Sequence, residues 1–198
     1  MTGKALKTTT FVLCLVPFAW TASLIMTSGL GANPAEKIIH LSGDWALNFI
    51  LITLSLTPLH RLSGWTWPVR LRRMAGLFAF FYAVLHFIAY AGLDQSFSWG
   101  DIMEDALKHK RIIVGFVSFV LLLPPVFTST DRMVRRLGYR LWNRLHRLVY
   151  AAATGGAIHY LLLVKKDIRV PLIYAAVLAV LLGYRMAAYL FARRSLSS

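Results

Sequence analysis

The sequence predicts an all-α protein, a six-helix transmembrane bundle with both termini on the cytoplasmic side. Composition comes first: the 198-residue chain is 58% hydrophobic and only 15% charged, and its mean hydropathy is +0.60, far too apolar for a soluble domain of this size. Six stretches approach the roughly 20 apolar residues that a helix needs to cross the hydrocarbon core. The basic residues are unevenly divided between the connections, as the positive-inside rule demands of a multi-pass protein. The apolar runs are continuous and do not alternate, which argues against a β-barrel.

The stretches run from Phe11 to Leu30, Trp45 to His60, Met74 to Leu93, Ile112 to Thr128, His146 to Val164 and Val170 to Phe191. The first follows Lys4 and Lys7 as a secretory signal would, but its length, Pro17 and the polar Thr21, Ser23 and Thr27 fit a retained span. Cys14, the sole cysteine, lies inside it, so neither an internal disulfide nor a thiolate cluster is available; it reads as a small core residue. The second and fifth stretches are short and need their flanks or local bilayer thinning. The third holds no Lys, Arg, Asp or Glu. Pro58 and Pro68 bracket a cytoplasmic turn, and Pro124-Pro125 ends or bends the fourth helix. The longest outer connection, Asp94 to Arg111, carries a short helix around Asp101 to Lys108, suited to the membrane surface or a periplasmic partner. Residues 1–198 form a single domain without a Gly-rich nucleotide fingerprint, which makes the chain a relay or an anchor.

With both termini cytoplasmic, 15 of the 22 basic residues lie inside, and of the eight acids only Asp131 does. The net charge of +14 is therefore an orientation signal and not a nucleic-acid footprint. Anionic lipid headgroups of the bilayer are the default partner of the basic inner loop from Arg132 to Arg147.

Ionisable side chains inside membrane segments are costly and rarely idle. Three of the six histidines, His86, His146 and His159, lie within or at the rim of such segments. Neutral imidazole is a good axial ligand for haem iron, and a helix holds it at fixed height. His86 lies 12 residues past Met74 and His159 lies 13 past His146, so both sit roughly 18 to 20 Å above their inner ends. They form a natural axial pair for one b-type haem toward the outer face. C-type attachment is excluded because no Cys-x-x-Cys-His is present. His146 stands at the inner end, level with Arg73. A second haem there would have His146 on one side and an unusual ligand, or none, on the other; Arg73 or Arg72 would bind a propionate, or else serve as inside-boundary arginines. On one continuous helix His146 and His159 would stand roughly 140° apart and could not share a face. Gly155 and Gly156 either admit a flat macrocycle or form a helix contact. Phe78, Phe81, Tyr82, Phe87 and Trp142 would pack a porphyrin or the core. His40 and His109 fall in outer loops and His60 at an inner helix end, where none needs a ligand role.

Several motifs, in order, are specific together: Asn33-Pro34-Ala35-Glu36-Lys37-Ile38-Ile39-His40, Leu56-Thr57-Pro58-Leu59, Arg72-Arg73-Met74-Ala75-Gly76-Leu77 leading to His86, Phe127-Thr128-Ser129-Thr130, Leu137-Gly138, Trp142 to His146, Val149-Tyr150, and Ile158-His159-Tyr160-Leu161. Through them almost the whole chain resembles the haem-binding membrane subunits of the bacterial methionine sulfoxide reductase system, the MsrQ or YedZ family. That resemblance implies a protein of the bacterial inner membrane passing electrons from the quinone pool, or also from a cytosolic flavin reductase, to a periplasmic molybdenum-containing (molybdopterin) catalytic subunit that repairs oxidised methionines. It also implies b haem, one or two, and flavin mononucleotide (FMN). The wider relatives, ferric reductases and NADPH oxidases, have two histidines on each of two helices, whereas here Arg73 stands where the fourth would be. Two other readings compete: a ferric reductase acting directly at the outer face, and a haem-free transporter using the buried histidines.

Overall fold

The computed structural model describes residues 3–27, 29–164 and 167–194. Its elements are α1 Gly3–Met26, α2 Pro34–Ser63, α3 Trp67–Ala89 continued by a π-helical turn Tyr90–Asp94, α4 Trp99–Lys108, α5 Lys110–Phe127, α6 Asp131–His146, α7 Leu148–Leu163 and α8 Arg169–Arg194. The described residues contain no strand. Five helices, α1, α2, α3 with its π turn, α5 and α8, are long and apolar enough to cross a membrane. The chain is an all-α, multi-pass membrane bundle.

The sixth expected span, α7, is 16 residues long, about 24 Å at the helical rise. The segment drawn from His146 is two helices. Arg147 lies between them (φ −70°, ψ −19°), so His146 closes α6 while His159 rides on α7. The basic stretch expected as a loop is the amphipathic α6, capped by Thr130, whose hydroxyl accepts the Met133 N–H, and kinked at Gly138 (φ 73°, ψ 152°). The second span also starts earlier than Trp45. Asn33 accepts the Glu36 N–H and Pro34 sits in the first turn, a favourable N-terminus; His40 therefore lies on α2 and not in a loop. Ser98 caps α4 in the same way, where the short outer helix was expected.

Two antiparallel pairs make the core. In α2 and α3, Ile39 lies by His86 and Thr53 by Gly76; in α5 and α7, Arg111 lies by His159 and Ser118 by Gly155. The pairs meet through Phe80 stacked on Phe119, Phe87 on Phe119, and Leu47 against Gly156. α1 is fastened from outside. Pro17 disrupts its hydrogen-bond ladder, and the Tyr82 hydroxyl enters the gap, accepting the Phe18 N–H and donating to the Cys14 carbonyl. Tyr82 is 2% exposed and stacks on Phe49 at 5.2 Å; Cys14 is buried beside it.

α5 and α7 approach closely because α7 offers small residues: Ala152, Ala153 and Ala157 are buried, and a Cβ on Gly155 would overlap Ser118 Oγ. Gly155→Ala is therefore expected to destabilise the bundle by about 1–3 kcal/mol through overpacking. In a Ser118→Ala background, where the nearest atom becomes the Cβ at 3.4 Å, most of that cost should vanish. A double-mutant cycle on thermal unfolding in detergent measures it; additive losses would show that the two positions do not touch.

Candidate haem-binding site

His86, near the C-terminal end of α3, and His159, near that of α7, are brought together by the two pairs. Their ring centres are 6.2 Å apart and their planes are inclined by 78°. Each ring is held the same way. His86 Nδ1 donates to the Ile39 carbonyl at 2.9 Å, and His159 Nδ1 donates to the Arg111 carbonyl at 2.7 Å. A carbonyl only accepts, so both Nδ1 atoms carry the proton and both Nε2 atoms keep a lone pair.

A glycine lies four residues after each of those carbonyls and faces the same ring. A Cβ on Gly43 would stand 3.0 Å from His86 Nδ1, and one on Gly115 would stand 2.8 Å from both Cε1 and Nδ1 of His159. The unit of carbonyl, one helical turn, glycine and imidazole thus occurs twice, once in each helix pair. Neither these carbonyls nor these glycines were singled out from the sequence. The available signal was one turn of spacing on the helix antiparallel to each histidine, and it means nothing until the pairing is known.

The separation can be tested against ligation of one metal. A metal–imidazole bond of about 2 Å on each side, plus about 1.2 Å from nitrogen to ring centre, puts two trans imidazoles about 6.4 Å apart. The pair is at that spacing. Among the described residues no three His, Cys, Asp or Glu side chains converge as a metal cage; the two imidazoles are a donor set that would suit haem iron. Capping Nδ1 by a carbonyl also fixes ring orientation and raises the basicity of the ligating nitrogen.

His146 is remote from this pair, about 20 Å along the chain's helical rise from His159. Its Nδ1 faces the Trp142 carbonyl at 3.1 Å, its Nε2 is 3.5 Å from Ser129 Oγ, and its ring lies 4.0 Å from that of Trp142. Arg73 pairs with Asp131 at 2.8 Å, both exposed, while Arg72 donates to Thr57 Oγ1 at 3.2 Å. Gly155 and Gly156 face Ser118 and Leu47 and serve helix packing. The aromatics divide: Phe78, Phe81 and Tyr82 pack with one another and toward α1, Phe87 packs on α5, and Trp142 donates Nε1–H to the Thr128 carbonyl.

Residues 42–157 match the family of ferric reductase like transmembrane components. Several relatives resemble nearly the whole chain. The protein-methionine-sulfoxide reductase heme-binding subunit MsrQ of Rhodospirillum rubrum is 49% identical over 185 residues, 93% of this chain and 89% of its own length. Those of Herminiimonas arsenicoxydans and Caulobacter vibrioides are 47% and 44% identical, over 91% and 89% of this chain and 84% of each relative. No solved structure is significantly similar. On this likeness, and with an all-α membrane fold, the chain belongs to the MsrQ family within the ferric reductase like transmembrane components.

Proposed function

We propose that the chain is the electron-transfer subunit of a methionine sulfoxide reductase system, with His86 and His159 as the axial ligands of one b-type haem. The observation that carries this is the pair itself: two imidazoles 6.2 Å apart, each with its Nδ1–H held by a backbone carbonyl. The relatives' printed name, heme-binding subunit, supports the same cofactor. When bound, the haem supplies a one-electron couple; the protein sets its potential through ligand basicity and burial.

In this reading residues 1–198 form a single domain with six spans, α7 being the short sixth, and both termini are cytoplasmic by the positive-inside rule. The pair then lies toward the periplasm of a bacterial inner membrane. Electrons enter from the quinone pool or a cytosolic flavin reductase and leave to a periplasmic molybdopterin-containing catalytic subunit; FMN is a second carrier. His146, with Arg72 and Arg73 nearby, lies at the entry end, where a second haem would find one imidazole and two guanidinium groups for its propionates.

A reduced-minus-oxidised spectrum and haem-to-protein ratio of the purified chain test the cofactor. At least one b-type haem per chain is expected, and a colourless protein would leave the histidines to transport or packing. For the role, the quinol-reduced chain is mixed with the catalytic subunit and a methionine sulfoxide substrate. Reoxidation should need both. Equally fast reoxidation by a ferric chelate alone would favour a ferric reductase instead.

A further inference from the structure

Arg185 projects from α8 into the bundle. Its guanidinium lies between α2 and α7, donating Nη2–H to the Leu54 carbonyl and Nη1–H to the Tyr150 hydroxyl, and sits 5.3 Å from the Tyr150 ring centre. Its third nitrogen has nothing. Among the described residues Nε of Arg185 is the one buried side-chain nitrogen or oxygen without a hydrogen-bond partner. The charged neighbours that act on it are Arg72 and Arg61, both of the same sign. Asp131, the acid at this end of the bundle, is exposed and paired with Arg73.

A half-buried guanidinium whose Nε is enclosed, with no carboxylate among its described partners, is costly in a membrane bundle. Neutral acceptors satisfy part of its hydrogen-bonding capacity but none of its charge. Arg72, which is exposed, donates to a threonine hydroxyl. Arg185 on α8, the Leu54 carbonyl on α2 and the Tyr150 hydroxyl on α7 thus meet around a positive charge that has no carboxylate partner among the described residues, with Arg72 of α3 acting on it. Tyr150, which touches Arg185, follows His146 by four residues.

We propose that half-buried Arg185 is the inner part of an oxyanion site at the His146 end, with exposed Arg72 as its outer part, taking a carboxylate or phosphate oxygen of an amphiphilic ligand. Guanidinium is suited to either group because its fork offers parallel N–H donors, and Nε–H is one such donor still unused. Two sources carry this chemistry: a propionate of a haem at His146, which depends on the haem reading above, and the headgroup phosphate of an anionic phospholipid, which does not.

The test compares the purified wild-type protein with Arg185→Gln and Arg185→Lys. Haem per chain is measured, and thermal unfolding is followed with added phosphatidylglycerol or phosphatidylcholine. If the anion is a propionate, Arg185→Gln loses one haem equivalent, keeps the His86/His159 spectrum and responds to both lipids alike. If it is a lipid phosphate, haem content is unchanged, phosphatidylglycerol raises the wild-type melting temperature above phosphatidylcholine, and Arg185→Gln loses that difference. Arg185→Lys, which keeps the charge without the fork, falls between. Wild-type haem content and lipid response in Arg185→Gln would overturn the proposal. So would failure of both variants to yield a folded bundle, because Arg185 would then be a clasp between helices. A wild type without haem sinks the relay reading but leaves the phosphate arm standing.

Discussion

His86→Ala and His159→Ala are each expected to abolish the same b-type absorbance, with haem content falling below detection for that centre. The loss should exceed the roughly 10–100-fold that follows removal of a ligand's hydrogen-bond partner, because here the metal–nitrogen bond itself goes. The two positions should behave identically despite lying on helices from different pairs, since one iron would need both rings. His146→Ala should leave that signal intact, as its imidazole is turned toward Trp142 and Ser129 at the far end. Added imidazole should partly restore the spectrum of either alanine variant by entering the space beside Gly43 or Gly115. Should His86→Ala and His159→Ala remove different absorbances, or should either keep the full one, the shared axial pair is wrong.

The spans and this pair were legible in the sequence for one reason: a hydrocarbon environment makes composition informative. Apolar runs of membrane length had to be helices, and His86 and His159 stood out because imidazoles within such runs are rare. Matching heights then followed from counting residues along two helices. What stayed hidden depended on tertiary contact. The break at Arg147 could not be seen, because Leu145 to Tyr150 has neither proline nor glycine to mark it; its backbone angles stay close to helical, and the helix ends without a breaker residue. Asn33-Pro34 carried a legible start signal for α2, yet hydropathy placed the span at Trp45 because Glu36, Lys37 and Asp44 lower the average there. Gly43 and Gly115 look like any helical glycine, and Arg185 looks like one more inside-boundary arginine. Their roles arise only from what α3, α7 and α2 place against them.

Gly115→Ala is the second large effect expected. A Cβ there would meet Cε1 and Nδ1 of His159 at 2.8 Å and Cγ at 3.2 Å, so the ring must move. It is not free to do so, because its Nδ1–H is tied to the Arg111 carbonyl at 2.7 Å on the same helix. Tilting the ring breaks that bond or displaces Nε2, the atom that would hold iron, and haem affinity should fall about 10–100-fold. Gly43→Ala should act in the same direction but less, since its closest approach to His86 is 3.0 Å. Gly76→Ala is the control, with Thr53 at an ordinary 3.6 Å. Alanine favours a helix over glycine by about 1 kcal/mol, so none of the three substitutions should cost secondary structure. A positioning role therefore predicts a dissociation: Gly115→Ala keeps its helicity while haem titration and the midpoint potential shift. If Gly115→Ala binds haem as tightly as Gly76→Ala, with an unchanged potential, the glycines do not position the ligands. If helicity falls together with haem, the glycine serves packing alone. Because carbonyl and glycine recur one turn apart in both pairs, the double variant Gly43→Ala/Gly115→Ala should lose more than the sum of the two, since one metal reports the position of both rings.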